Sequence, residues 1–248
     1  MNDTTATTTA RYTGRDEWFV EPSGTIAVIG TRDGRADSLF AAIALARLKQ
    51  QIADRTGSTA TYLPCRASEL SAASRYALDK FGADAIPSYA ELEKRYGFGK
   101  LKISMVGHND LKNAADGISP LQVIEILDRH ALGGMRTKRP VNVLIESVGA
   151  TSSIVWRLYK DCGIEPDRLI ASLLAVGIIT ATAGFTTHTC KEGDRIAAAE
   201  LASIAGLDLA ELTGELAKYR PIQQFEIRES EDSTEPPPEP KKKRHIWR

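Results

Sequence analysis

The chain has 248 residues, 42% of them hydrophobic, with 32 Lys+Arg balancing 32 Asp+Glu; such a chain buries a core as one large domain or two small ones. The balanced charge argues against a general nucleic-acid or membrane-surface binder, which needs excess positive charge to displace counterions, and no apolar run is long enough to span a bilayer. Cys65, Cys162 and Cys190 are odd in number and widely spaced, with no CxxC pair, which argues against a disulfide framework or zinc site and predicts reduced thiols in a cytoplasmic setting.

Residues 1–23 open on a Thr-rich stretch without periodicity and read as a disordered lead-in. It lacks a secretory pattern, and its few arginines leave organelle targeting open. Order is expected from Thr25–Gly30 (TIAVIG), a buried strand, followed by a helix over SLFAAIALARLKQ with Ser38 as N-cap or first-turn residue. Tyr62–Leu63 reads as a second strand, and helical stretches follow near Ser68–Phe81 and Tyr89–Tyr96. Leu101–Val106, Ile124–Leu127 and Val141–Glu146 read as strands. Helices are expected over Thr151–Asp161, Asp167–Ile179, Lys191–Ala205 and Leu209–Tyr219. Strands alternating with helices predict an α/β fold over 24–219, a mostly parallel sheet flanked by helices. Its functional crevice then lies at the C-terminal strand ends, in the segments after Gly30, Val106 and Leu127. Residues 220–248 carry EPPPEP, acidic residues and then KKKRHIWR, a polyampholyte tail expected to be disordered. KKKR reads as a solubilising terminus, with a nuclear-import or acidic-partner patch as the other reading.

Five segments fall in order at and after these crevice positions: GTRDGRADS (Gly30–Ser38), MVGHND (Met105–Asp110), EILDRH (Glu125–His130), GATSSIVWRLYKD (Gly149–Asp161) and GIITATAGF (Gly177–Phe185). Together they resemble the DHH phosphoesterase superfamily, nearest to the N-terminal domain of manganese-dependent (family II) inorganic pyrophosphatases. The resemblance implies two divalent metals that clamp a phosphoryl group and activate a water. It also implies hard carboxylate and imidazole ligands from GHxNPDxDS, DHN, DHH and SDT segments. At those ligand positions this chain has Thr31, Arg35, Gly107, Arg129 and Ala181, and of six positions Asp37 alone is kept. Asp128 and His130 remain in the third segment, and His108 with Asn109 in the second.

No metal site is therefore expected, with manganese or magnesium required if activity survives. Arg35 and Arg129 are expected to pair with Asp37 and Asp128 where metals would lie. The match ends near Tyr219, so the second, substrate-clamping domain is expected to be absent. Ser38, Thr151 and Ser152 at helix N-termini, with Arg35, Arg129 and His130, form a candidate anion cradle; as ordinary caps they need no ligand. His188 and Cys190 read as structural, and Trp18, Trp156 and Trp247 show no stacking pattern for nucleic acid. The expected function is that of a catalytically inactive relative, an interaction or structural subunit working as a homodimer or within a larger complex. The alternatives are a phosphoesterase with a rearranged, metal-poor site and a phosphate or nucleotide sensor.

Overall fold

A computed structural model describes residues 19–219. The strands are β1 (Ser23–Ile29), β2 (Thr59–Cys65), β3 (Lys102–Val106), β4 (Val123–Asp128) and β5 (Asn142–Ile145). They form one five-stranded sheet in the order β2-β1-β3-β4-β5, with every pair parallel. The helices are α1 (Ala36–Thr56), α2 (Ala72–Phe81), α3 (Tyr89–Tyr96), α4 (Thr151–Asp161), α5 (Arg168–Ala181), α6 (Glu192–Ala205) and α7 (Leu209–Ala217), with a single 3-10 turn at Leu111–Asn113. This is the expected α/β architecture. Among the described residues no helix is long and apolar enough to cross a membrane.

The sheet is buried on both faces, which is why β1 reads as a continuous apolar run rather than an alternating one. Ile26 and Val28 pack with α1, α4, α5 and α6. Ala27 and Ile29 point the other way, into a second core with Ile103, Met105, Tyr89 and Leu92. A third cluster joins α1 to α2, α5 and α7 through Phe40, Ala77, Val176 and Leu212. The chain leaves β1 toward β2 and returns past it to β3, so the strand order reverses between β1 and β3. That reversal opens a crevice at the carboxyl ends of the central strands.

Several boundaries differ from expectation for identifiable reasons. The fold takes up residues 19–23, placed in the lead-in above: the Lys49 ammonium donates to the Phe19 carbonyl (2.5 Å), and the Glu21 N–H to the Tyr62 hydroxyl (2.6 Å). β2 runs through Pro64, which is tolerated because among the described residues β2 is an edge strand with β1 alone as neighbour. α2 begins at Ala72 rather than near Ser68, because the Ser71 hydroxyl caps it by accepting the Ser74 N–H (3.2 Å). The expected tail over 220–248 lies outside the described residues, as do Trp18 and Trp247.

Candidate functional site

Three loops meet above the sheet, at the ends of β1, β3 and β4, and the N-terminus of α4 points into them. Ala150, the residue before α4, offers no side-chain cap. Asp37, in the first turn of α1, does this from across the crevice. Its Oδ2 accepts the Thr151 N–H (2.9 Å) and its Oδ1 the Ser152 N–H (2.8 Å). All three residues are buried. A carboxylate here satisfies two helix-start donors and sits at the positive end of the helix dipole. The anion cradle expected at Thr151 and Ser152 is thus filled by the protein's own carboxylate. Arg129 also approaches Asp37, with Nε 3.6 Å from Oδ2.

Arg35 is a correction. As the N-cap residue of α1 it has extended backbone, and its side chain turns to solvent, 73% exposed, in an ion pair with Asp33. It reaches neither Asp37 nor Asp128. Ser38 lies within the first turn, and its hydroxyl is engaged locally: it accepts the Thr31 N–H (3.1 Å) and lies 2.6 Å from the Thr31 hydroxyl. Thr31 in turn donates to Asp33 (2.6 Å). The loop is therefore closed on itself, and neither Arg35 nor Ser38 presents free donors to the crevice.

Gly107 has a left-handed φ of +77°, and a β-carbon there would lie 2.6 Å from Ser38 Cβ and 3.2 Å from its Cα. No side chain fits at this position without moving α1. His108 is buried beside it, its Nδ1 3.2 Å from the Val106 carbonyl. Burial holds its pKa below the ordinary imidazole value.

Asp128 is fully buried and pairs differently from the expectation. Oδ1 accepts the Arg129 backbone N–H (2.7 Å) and lies 2.8 Å from His130 Nδ1, while Oδ2 accepts from Asn109 Nδ2 (2.6 Å). Burial alone raises its pKa, but His130, the Arg129 N–H and Asn109 outweigh it and bring the carboxyl below its usual value. Among the described residues no guanidinium pairs with Asp128: Arg129 turns to Asp37 and Arg35 to Asp33. Ala181 closes α5 against the main core, and Thr182 folds its hydroxyl back on the Ile178 carbonyl (2.7 Å).

These residues do not fit a pair of manganese ions. The carboxylate oxygens of Asp37 and Asp128 are all engaged by N–H donors or His130. Among the described residues no group of three or more His, Cys, Asp or Glu side chains is placed to hold an ion. Cys65 and Cys190 have thiols held protonated by burial. Trp156 donates to Glu200 (2.6 Å) and is structural.

Next to this centre the wall opens into a cleft of about 390 Å³ lined by Arg129, His130, Ser147, His188, Thr189 and Lys191, among others, none acidic. His188 is exposed on the wall of this cleft. The sequence reading missed Lys191, and it missed Asp194, which accepts the Gly149 and Lys191 N–H groups (2.8 and 2.7 Å). The signal for Asp194 was an acid at the third position of α6, where capping boxes place one.

The fold and ordered loops define a DHH-type domain, and the match bears this out: residues 25–178 match the DHH family, N-terminal domain. The chain belongs to that family. Two curated relatives are both named "Probable manganese-dependent inorganic pyrophosphatase". The one from Exiguobacterium sp. is 34% identical over 185 residues, covering 74% of this chain and 56% of the relative. The one from Bacillus licheniformis is 33% identical over 183 residues, with the same coverage. The chain therefore spans just over half the length of the curated relatives it matches. A Methanococcus jannaschii crystal structure assigned to the family II inorganic pyrophosphatases superposes with a TM-score of 0.66 at 24% identity, covering 79% of this chain and 61% of that one. An exopolyphosphatase-related protein from Bacteroides fragilis superposes with a TM-score of 0.58 at 16% identity. Both structural likenesses speak to fold.

Proposed function

We propose that this chain is a DHH domain that no longer hydrolyses pyrophosphate at the motif centre and serves as a protein-interaction or structural subunit, as a homodimer or within a larger assembly. The observation that carries the reading is the fate of Asp37. A carboxylate at a metal-ligand position by family resemblance caps α4 through two buried N–H groups. The replacements at Thr31, Arg35, Gly107, Arg129 and Ala181 agree with it. An interaction role draws support from the sheet edge: among the described residues β5 has β4 as its one strand neighbour, and Val143 on it and Leu132 before it are 53% and 77% exposed. Such edges pair with other chains unless covered.

The test is phosphate release from pyrophosphate and from cyclic dinucleotides with manganese, beside a calorimetric manganese titration. No turnover and no stoichiometric binding are expected. Turnover that Asp128→Ala abolishes, or micromolar manganese binding, overturns the reading. Gel filtration with light scattering tests the assembly arm, which an isolated monomer at all concentrations and no larger native complex would sink.

One contact favours a second reading, a phosphoesterase with a rearranged, metal-poor site. His130 is half-exposed and lies 2.8 Å from the buried Asp128 carboxylate, the arrangement of an imidazole base oriented by an acid. The same release assay without added metal, with His130→Ala as control, separates the two.

A further inference from the structure

Away from the crevice, the far half of α1 holds a buried charge that the motif centre does not use. The Lys49 ammonium, 4% exposed, pairs with Glu125 Oε1 on β4 (2.7 Å), and the Ser104 hydroxyl on β3 donates to the other Glu125 oxygen (2.5 Å). An ammonium withdrawn from water is stable there only with its donors met, and Glu125 meets one of them. The rest of its cover comes from the residues ahead of β1 and from β2. Lys49 donates to the Phe19 carbonyl (2.5 Å), the Phe19 ring stands over it at 4.1 Å, and the Tyr62 ring lies at 5.7 Å.

Phe19 to Ser23 cross the start of the sheet as a strap. The Glu21 N–H donates to the Tyr62 hydroxyl (2.6 Å), and the Glu21 carbonyl accepts from the Ser58 hydroxyl (2.6 Å). The Pro22 carbonyl accepts the Thr59 N–H (3.1 Å). Lys102 Nζ reaches both the Glu21 carboxylate (2.5 Å) and the Ser23 carbonyl (3.1 Å). These ties are peripheral: Phe19, Val20 and Glu21 are half-buried and Pro22 is exposed. Opening the strap therefore gives up little buried apolar surface, while the ammonium and carboxylate beneath it regain water. Lys49, Ser104 and Glu125 stand on α1, β3 and β4, the elements that lead to Asp37, His108 and Asp128.

We propose that Phe19 to Pro22 form a latch, a strap that opens as a unit before the domain unfolds and whose seating keeps water from the Lys49–Glu125 pair. Once open, it exposes a cation, an acid and the Tyr62 ring, and it loosens the half of α1 around Lys49. Whatever draws on the chain ahead of Phe19 then acts on α1, β3 and β4 through this pair. The latch does not depend on whether the motif centre hydrolyses anything.

The experiment labels the full chain with an amine-acylating succinimidyl ester and, in parallel, a thiol-alkylating reagent, each residue being read by mass spectrometry. Lys112, exposed on the 3-10 turn, is the open reference, and the buried Cys65 reports opening of the whole domain. In the parent chain Lys49 is expected to react at least about tenfold slower than Lys112, at a rate nearly flat in low urea, whereas the Cys65 rate climbs steeply. Phe19→Ala is expected to speed Lys49 labelling about tenfold and Tyr62→Phe about fivefold, with Cys65 unchanged. Hydrogen exchange of the α1 amides around Lys49 rises in step, and that of α5 does not. Leu132→Ala, at a position 77% exposed, leaves every rate as it was. The latch is overturned if Lys49 is as reactive as Lys112 in the parent chain or if neither variant speeds its labelling. It is equally overturned if the Lys49 rate follows Cys65 through the urea series and across the variants. The urea series needs no variant, so it decides the matter even where a substitution prevents folding.

Discussion

Replacing Asp37 by alanine separates a structural carboxylate from one held for chemistry. In the fold its two oxygens accept buried N–H groups at 2.9 and 2.8 Å, and the N-cap residue Ala150 supplies no side-chain cap of its own. Hydrogen bonds to a charged acceptor contribute about 1.5 kcal/mol each at the low end of their range, so the pair amounts to roughly 3 kcal/mol. Removal also leaves Arg129, 16% exposed, facing the positive end of a helix, and this repulsion raises the loss further. Asp37→Ala is therefore expected to destabilise by about 3–4 kcal/mol, the upper part of the single-substitution range. Asp37→Asn keeps the shape and one acceptor, and about half that loss is expected. Urea unfolding followed by far-UV circular dichroism reads the effect. With a slope near 2–3 kcal/mol/M the alanine midpoint falls by roughly 1–2 M. A midpoint that stays put or rises would refute the reasoning, because stabilisation on removal marks a group kept at a cost for function.

The remaining expectations concern the surrounding packing and titration. Gly107→Ala is expected to lower stability by about 3 kcal/mol in the same assay, since φ is +77° and the new carbon meets Ser38 Cβ at 2.6 Å; a loss under about 1 kcal/mol would show that α1 yields freely. Lys49 and Glu125 form a buried pair at 2.7 Å, with Ser104 donating to the other Glu125 oxygen (2.5 Å). Lys49→Met is expected to cost about 3 kcal/mol and the double variant Lys49→Met/Glu125→Gln clearly less; additive losses in the double-mutant cycle would contradict the pairing. His108 is kept neutral by burial, so as pH falls below its ordinary 6.5 the unfolded chain takes up a proton that the fold refuses. Stability should fall over that window, and His108→Gln should flatten the slope. Asp128, with its pKa lowered in the fold, contributes stability above the usual carboxylate range that is lost as pH falls through its folded value; an Asp128→Asn variant with an unchanged acid limb would contradict this.

Much of the fold was legible because its signals are local. Apolar runs ending in glycine or a polar loop give β1 and β3, helical spacing gives α1 and α5, and the carboxylates Asp167 and Asp208 cap α5 and α7. The ordered loop segments located the crevice. The pairing within it was not legible, since it depends on where each backbone aims its side chain. Arg35 and Arg129 are equivalent in sequence terms, but Arg35 leaves an extended N-cap position toward solvent and Asp33, whereas Arg129 follows a buried strand end and stays inside. Asp37 and Ser152 are 115 positions apart, and no pattern of spacing announces a cap supplied at that distance. The cleft was hidden for the same reason: His188 and Lys191 line it together with Arg129 and His130, which follow β4, far away in sequence.

The arrangement also bears on how the domain would recover a metal centre under the proposed reading. Restoring one ligand type at a time meets separate obstacles. An acid at position 107 has no room while Ser38 stands where its β-carbon would go. A histidine at position 129 removes the guanidinium that faces Asp37. Freeing Asp37 to bind an ion uncaps α4, whose first two N–H groups are buried, and unmet donors there oppose the change. Each step destabilises the fold before any ion is present to offset it, since metal stabilises only a site that already binds. Interacting residues of this kind change stability together rather than additively. A combined Thr31→His/Gly107→Asp/Arg129→His variant is therefore expected to melt below the parent chain and to gain no manganese-dependent rise in melting temperature, and a clear rise would show that the crevice is pliable rather than locked.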